Sequence, residues 1–298
     1  MVWSYTPYQI TKFHAKRLIT FPELIFLYVT LDTSRKLKIM KTIVIPDVHQ
    51  RTKCVDKVLN ENTYDEVVFL GDWFDSFWDP PHVSSFKDTC IYLRDLMVSH
   101  KDRDKFVFLI GNHDLNYIHS NNKESNKSCS KNLCYYCSGY TNNKSKIFRQ
   151  VFFDSGYKDT FFLSNMKLAH KSQGVIMSHA GIVPEIMPYG CDIDKFVDEV
   201  LPSALKEFRN LNYIHNNTMS WVGELRGGQN KVGGVLWLDW WGEFYSSDIV
   251  GDQIVGHTQI QDIGPQLNKN ENTKSWNIDT GSKHFAVIEN GSVTMCNT

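Results

Sequence analysis

Five short apolar runs, each followed by a cluster of polar residues, constrain this chain more than any other feature of its sequence. The runs cover residues 43–45, 67–70, 106–110, 175–177 and 254–255. Their length and apolar content are typical of buried β-strands. Apolar residues at every third or fourth position predict a helix over 84–99, with Ser84 or Ser85 as its N-cap. A second helix is predicted over 192–209, interrupted by Pro202, and the alternation of strands and helices predicts a layered α/β fold.

The polar clusters that follow the five runs contain side chains that bind metal ions. In chain order they include Asp47, His49, Asp72, Asp75, Asn112, His113, Asp114, His179 and His257. Ligands gather at the carboxyl ends of strands in open α/β sheets, so we expect these side chains to converge. Carboxylate, imidazole and amide oxygen donors together suit Zn, Mn or Fe.

Two metal ions close together would give this cluster a specific chemistry. Their mutual repulsion requires a bridging anion, and either a carboxylate such as Asp72 or a shared hydroxide can bridge. Paired ions ~3.5–4 Å apart stabilise the attacking and leaving oxygens of a phosphoryl displacement, and they lower the pKa of bound water. Each cluster alone also fits a structural role, since Gly-Asp is a common turn and a lone histidine often lies in a core. Their order and placement together favour one metal site.

The series D-x-H, G-D, G-N-H-[D/E], H and G-H resembles the calcineurin-like metallophosphoesterase superfamily over roughly residues 42–281. The resemblance implies a four-layer αββα sandwich with a dinuclear metal site at the carboxyl ends of its strands. It implies one metal on Asp47, His49 and Asp72, and a second on Asp72, Asn112, His179 and His257. It also implies that His113 is the general acid, paired with Asp75, because a nearby carboxylate favours the imidazolium form that can donate a proton.

Details of the motifs point to one branch of this superfamily. The endings Gly256-His257-Thr258 and Asp279-Thr280-Gly281 resemble phosphoprotein phosphatases and diadenosine tetraphosphatases, whereas repair nucleases and purple phosphatases carry a second histidine where this chain has Gln259. Phosphoprotein phosphatases read G-D-x-x-D-R-G, and here Ser76 stands in place of that arginine. Arg226, in a glycine-rich loop, is either a substitute phosphate-binding guanidinium or a surface arginine.

The motifs predict a metal-dependent phosphatase that uses two divalent ions, Mn, Fe or Zn, and hydrolyses phosphate monoesters. The substrate is expected to be a phosphoprotein, as for serine/threonine phosphatases, a nucleotide or a small phosphate. One alternative is a dinucleoside polyphosphate hydrolase, which shares every motif. Another is a metal-binding scaffold without activity, against which the intact His113 argues.

Charge and composition narrow the class of partner. The 32 basic residues are matched by 33 acidic ones, so stable nucleic-acid binding is not expected. No apolar run reaches the ~20 residues that span a bilayer, so no membrane association is expected. The seven cysteines are an odd number and few for this length, which favours a reducing, cytoplasmic location.

The remaining segments leave alternatives open. Residues 1–39 show no sustained period and are predicted to be a loosely attached N-terminal extension, a docking segment, or a stretch upstream of the native start, ahead of a metallophosphoesterase domain over 40–298. Residues 120–146 are polar and predict an inserted surface loop. Three cysteines within this loop suggest a zinc site completed by a fourth ligand; they are Cys129, Cys134 and Cys137, with His119 or Cys191 as the fourth. An aromatic cluster is either a substrate-stacking surface or core and rim packing; it comprises Trp237, Trp240, Trp241, Phe244 and Tyr245.

Overall fold

The computed structural model describes residues 39–77, 83–118, 137–153, 161–211, 217–248, 250–261, 266–267 and 273–298. The predicted extension lies outside the described residues except for Ile39. Three candidates for the zinc site, Cys129, Cys134 and His119, also lie outside them.

Strands and helices alternate along the described residues as predicted. The strands are β1 (Lys41–Ile45), β2 (Glu66–Phe69), β3 (Phe106–Leu109), β4 (Met166–Lys167), β5 (Ala169–Ser172), β6 (Val175–Ser178), β7 (Gln253–Val255), β8 (Gln266–Leu267), β9 (Lys274–Asn277), β10 (His284–Glu289) and β11 (Ser292–Asn297). The helices are α1 (Thr52–Glu61), α2 (Phe86–Val98), α3 (Asn112–Ile118), α4 (Asn142–Phe152), α5 (Phe161–Ser164), α6 (Ile193–Lys195), α7 (Leu201–Leu211) and α8 (Asn217–Ser220).

The described strands form two sheets. The first has the order β11-β10-β1-β2-β3-β4, in which β1 to β4 are parallel and β10 is antiparallel to β1. The second has the order β5-β6-β7-β9-β8, in which β6, β7 and β9 are parallel. All five predicted strands are present, and they occupy the parallel parts of the two sheets.

Alternating side chains place the two sheets between helical layers. Val44 and Met177 belong to a buried cluster to which both sheets contribute, so the sheets pack face to face there. Their chain neighbours Ile43 and Ile176 point to the opposite faces of the sheets and belong to the other buried cluster, which also contains residues of α2 and α7. The order helix, sheet, sheet, helix confirms the predicted four-layer sandwich.

Helix α2 confirms the predicted helix over 84–99. Ser85 is its N-cap, and the Ser85 hydroxyl accepts a hydrogen bond of 3.1 Å from the backbone N–H of Asp88. Such a cap satisfies one of the backbone donors that the first turn of a helix leaves free.

Two segments differ from the expectations. Pro202 does not interrupt the second helix, since a π-helical turn over Phe196–Val200 leads directly into α7, of which Pro202 is the second residue. The predicted loop over 120–146 is helical from Asn142 onward. The Thr141 side chain caps that helix by accepting a hydrogen bond from the N–H of Lys144.

None of the helices within the described residues combines the length and the apolar character needed to cross a bilayer.

Candidate active site

The carboxyl ends of β1, β2, β3, β6 and β7 carry the predicted metal ligands. In chain order these are Asp47, His49, Asp72, Asn112, His179 and His257. Nδ1 of His179, after β6, lies 2.9 Å from the backbone oxygen of Leu70, after β2. This contact joins the two sheets, so the six side chains meet where the sheet edges come together.

A first group of candidate ligand atoms comes from the turns after β1 and β2. Ligand atoms of Asp47, His49 and Asp72 lie within 4.8 Å of one another. Nδ1 of His49 lies 2.8 Å from the backbone oxygen of Phe74, which makes Nδ1 the protonated nitrogen of a neutral ring. The other nitrogen, Nε2, lies 3.8 Å from Oδ2 of Asp72 and has its lone pair available.

A second group shares Asp72 with the first. Ligand atoms of Asp72, His179 and His257 lie within 4.8 Å of one another. Oδ1 of Asn112 lies 2.9 Å from Nε2 of His179 and 2.9 Å from Nδ1 of His257. The four side chains therefore converge on one point, and Asp72 stands between the two groups.

Burial sets the charge of this site. It lowers the pKa of His49 and of His179 to about 3, and it lowers the pKa of His257 well below the usual value, so all three rings are neutral at neutral pH. Burial also raises the pKa of Asp47 and of Asp72 well above the usual range, and repulsion between neighbouring carboxylates adds to it. Such a cluster of buried carboxylates favours the binding of positive charge.

The donor set fits divalent metal ions. Nε2 of His257 is buried and has no hydrogen-bond partner among the residues that the structure describes. Neutral imidazole, carboxylate and amide oxygen are the donors that Zn, Mn and Fe accept together. A cation would also offset the repulsion that raises the pKa of both carboxyls.

The turns that carry the ligands are tightly constrained. His49, Asp72, Asp75 and His257 have positive φ angles of 42°, 48°, 60° and 67°. Such conformations cost non-glycine residues about 1–3 kcal/mol each, and they concentrate at functional sites. A Cβ on Gly256 would collide with Oδ1 of Asp47, so glycine is required for Asp47 to accept the 2.9 Å hydrogen bond from the N–H of His257.

His113 and Asp75 form a pair beside the ligands. Oδ2 of Asp75 lies 3.1 Å from Nδ1 of His113, and Oδ1 accepts hydrogen bonds from Nζ of Lys144 at 2.9 Å and from the hydroxyl of Tyr117. Burial alone would raise the pKa of Asp75, but these hydrogen bonds from His113, Tyr117 and Lys144 lower it below the usual value. Asp75 is therefore an anion that holds Nδ1 of His113 and leaves Nε2 available to the cleft.

Asp114 differs from the other polar residues of the clusters because it binds only backbone groups in the described contacts. Its Oδ1 accepts a hydrogen bond of 2.8 Å from the N–H of Trp73, and its Oδ2 accepts one of 2.9 Å from the N–H of Gly111. Asp114 thus joins the turn after β2 to the turn after β3, and it is a positioning residue for both.

A cleft of about 390 Å³ opens onto the two groups. Two arginines line it. Arg226 makes an ion pair of 3.0 Å with Oδ2 of Asp239 and donates a hydrogen bond to the hydroxyl of Thr258. Arg51, which the sequence motifs did not single out, donates a hydrogen bond of 3.0 Å to the hydroxyl of Ser282.

Most of the aromatic cluster belongs to the core and its rim. Trp240 and Phe244 are buried and stack on each other, whereas Trp241 and Tyr245 are exposed. Trp237 alone of the five lines the cleft, with its ring centroid 5.9 Å from that of His257.

The sequence pattern that defines calcineurin-like phosphoesterases matches residues 40–273. The chain belongs to the calcineurin-like phosphoesterase family. As a member of this family it is a metal-dependent phosphoester hydrolase, and the match covers every predicted ligand.

Solved structures with a similar chain trace include several phosphatases. The cold-active protein-tyrosine phosphatase of the psychrophile Shewanella sp. has a TM-score of 0.51 and 16% identity, over 87% of this calcineurin-like phosphoesterase and 78% of that chain. A protein serine/threonine phosphatase from Saccharomyces cerevisiae has a TM-score of 0.45 and 11% identity, over 89% of this chain and 82% of that chain. A putative diadenosine tetraphosphatase has a TM-score of 0.40 and 14% identity, over 88% of this chain and 95% of that chain. The likeness to the Shewanella enzyme shows a shared fold only, and no curated protein matches the sequence.

Several residues in or next to the cleft were not assigned to this site from the sequence. Lys144 and Cys137 come from the segment predicted as a loop, and both contact residues of the site. Arg51 and Phe77 each follow a motif residue by two positions, and that proximity was the available signal.

Proposed function

We propose that this calcineurin-like phosphoesterase is a dinuclear metal phosphatase that hydrolyses phosphate monoesters. The observation that carries the proposal is the pair of ligand groups that share Asp72, with His113 beside them. One metal would be held by Asp47, His49 and Asp72, and the other by Asp72, Asn112, His179 and His257. Two bound ions would supply a nucleophile formed from water near neutral pH and would stabilise charge on the phosphoryl oxygens.

The side chains of the protein protonate the leaving group. Hydrolysis breaks the bond between phosphorus and the ester oxygen and forms a bond from phosphorus to the oxygen of water. The ester oxygen then needs a proton, which His113 gives from Nε2 while Asp75 holds Nδ1. The backbone N–H of His113 donates a hydrogen bond of 2.9 Å to Oδ1 of Asp72, so the acid and the shared ligand are held at a fixed separation.

Arg226 and Arg51 are proposed to bind the phosphoryl oxygens. Guanidinium groups match the geometry of phosphate, and both side chains line the cleft with their positions fixed by hydrogen bonds to Thr258 and Ser282. Arg226 thereby serves in place of the arginine that phosphoprotein phosphatases carry where this chain has Ser76.

Manganese is the metal that we propose for the test, with iron and zinc as alternatives that suit the same donors. The cytoplasm is the proposed location. Among the described residues Cys54, Cys90, Cys191 and Cys296 are thiols, as expected in a reducing compartment.

The test is a set of parallel assays on metal-depleted protein to which Mn, Zn or Fe is returned. The substrates are an aryl phosphate monoester, phosphopeptides, a nucleoside monophosphate, a diadenosine polyphosphate, and duplex and single-stranded DNA. We expect metal-dependent release of inorganic phosphate from monoesters, and loss of that release in an Asp72→Asn variant.

Three results would reject the proposal in different ways. Preferential cleavage of the diadenosine polyphosphate would assign the alternative hydrolase. Degradation of DNA alone would assign a nuclease. Binding of metal at the expected stoichiometry without turnover of any substrate would indicate an inactive scaffold.

A further inference from the structure

Phe77 is an exposed aromatic residue on the wall of the cleft. Its side chain is 63% exposed. Among the described residues that line the cleft, no other is a large apolar residue that is exposed. Its ring meets those of His49 and His113 edge to face, with centroids 5.3 and 5.7 Å away. Phe77 therefore lies beside a proposed metal ligand and beside the proposed general acid.

The backbone that carries Phe77 is held by Gln50. Oε1 of Gln50 accepts a hydrogen bond of 3.1 Å from the N–H of Ser76, and Nε2 donates one of 2.8 Å to the backbone oxygen of Ser84. Asp75 directly precedes Ser76 and is itself bound to His113. The same short turn therefore fixes both the acid pair and the aromatic ring.

The position of the acid decides where the leaving group lies. An ester oxygen that receives a proton from Nε2 of His113 must be within hydrogen-bond distance of it. The group attached to that oxygen then lies next to Phe77. Aromatic rings attract each other edge to face or offset at centroid separations of ~4.5–7 Å, so a ring on the ester oxygen can stack on Phe77, whereas an aliphatic carbon offers less contact.

The described cations of the cleft are held by other loops. Arg51 is bound to Ser282, after β9, and Arg226 is bound to Thr258, after β7. The wall next to His113 is aromatic, and the guanidinium groups are available to the phosphoryl oxygens. This division matches a substrate with a charged phosphoryl group at one end and a flat apolar group at the other.

We infer that Phe77 makes this enzyme selective for aryl phosphate esters, of which phosphotyrosine is the representative in proteins. The inference rests on the phosphatase function proposed above and adds the class of leaving group. In the reaction the bond from phosphorus to the phenolic oxygen breaks, water supplies the new oxygen on phosphorus, and the phenolic oxygen takes the proton of His113.

The experiment compares kcat/KM for O-phosphotyrosine and O-phosphoserine, both as free amino acids and within one peptide sequence. The proteins are the unmodified chain, Phe77→Leu, Phe77→Tyr and, as a matched control, Tyr189→Leu. Tyr189 is an exposed aromatic residue that does not line the cleft. Phenolic and aliphatic esters differ in intrinsic reactivity, but that difference cancels when the ratio of the two substrates is compared between variants.

The unmodified chain should prefer phosphotyrosine in both formats, and Phe77→Leu should lower the ratio about 3–10-fold, mainly through KM. Phe77→Tyr, which keeps the ring, should retain the original ratio, and so should Tyr189→Leu. An unchanged ratio in Phe77→Leu would overturn the inference while leaving the phosphatase function intact. A change seen only in the peptide would also overturn it, because the contact would then be with the peptide chain. Turnover of neither substrate with any metal would reject the proposed function and this inference together.

Discussion

The thiol of Cys137 accepts a hydrogen bond of 3.1 Å from Nδ2 of Asn112. The Asn112 amide can present either its oxygen or its nitrogen to the second ligand group, and only the oxygen is a metal ligand. Because Cys137 binds the nitrogen, Oδ1 faces His179 and His257. A residue of the segment predicted as a polar loop thus orients a proposed metal ligand.

We expect Cys137→Ala to weaken metal binding about 10-fold or more, the effect typical of groups that orient metal ligands. Cys137→Ser keeps an acceptor near the same place and should retain most of the affinity. The measurement is titration of metal-depleted protein with Mn²⁺ or Zn²⁺, followed by calorimetry. Equal affinities of the alanine variant and the unmodified protein would show that Cys137 does not orient the amide.

His113→Asn should lower kcat by ~10²–10⁴-fold, because general acid–base catalysis contributes about that much. Its metal content should stay near that of the unmodified protein, since His113 adjoins the ligand Asn112 but is assigned to the leaving group. Turnover and elemental analysis of the same preparation test both statements. Loss of a metal equivalent would make His113 a ligand and contradict its role as the acid.

Lys144 joins the buried carboxylate of Asp75 to the backbone oxygen of Gly139, at 2.9 and 2.7 Å. Lys144→Met should lower the free energy of unfolding by ~1–3 kcal/mol, because it removes a charged hydrogen bond from a buried anion. Urea denaturation measures the loss. Lys146→Met, at an exposed position of the same helix, is the matched control and should change stability by less than ~0.5 kcal/mol. Similar losses in the two variants would argue against a specific role of Lys144.

Metal binding should stabilise the protein more as the pH rises. Burial raises the pKa of Asp47 and of Asp72, so the metal-free folded chain retains protons that the unfolded chain releases above ~4. The contribution of these two carboxyls to the stability of the metal-free protein therefore falls as the pH rises through their pKa values in the folded state. Metal binds the deprotonated carboxylates, so the gain from binding grows over the same range.

Thermal unfolding in a chelator and in excess Mn²⁺, at pH 5, 6.5 and 8, measures this dependence. We expect the increase in Tm caused by Mn²⁺ to grow with pH, and Asp47→Asn to remove much of that growth. An increase in Tm that is independent of pH would show that these carboxyls do not take up protons in the metal-free state.

We expect the shortened chain Met40–Thr298 to fold and to keep the activity of the full chain. The family match begins at residue 40 and β1 begins at Lys41, so no ligand or strand of the described domain precedes the cut. The measurement is circular dichroism and aryl phosphate turnover of both chains. An insoluble or inactive shortened chain would make residues 1–39 part of the folded domain.

The sequence alone predicted the layers and the grouping of the ligands. Short apolar runs with polar ends can be recognised from neighbouring residues alone. Because ligands gather at the carboxyl ends of strands, the polar residues that follow these runs are expected to form one site. This succeeded for Asp47 and His257, which are 210 positions apart and joined by a hydrogen bond of 2.9 Å. A cap such as Thr141, by contrast, was missed because nothing in its neighbours marks the start of a periodic segment.

Only the tertiary structure decided which residues surround that site. Phe77 and Arg51 carry no motif, and Cys137 was predicted only as part of a zinc site, yet all three line the cleft. Lys144 binds Asp75 from the first turn of α4. The path of a loop depends on contacts between residues far apart in the chain, such as Lys144 with Asp75, 69 positions away. A sequence pattern records the residue types at such positions but not the distances between them. The proposed ligands could be predicted because they directly follow strands, whereas the residues that support them were identified only from the folded structure.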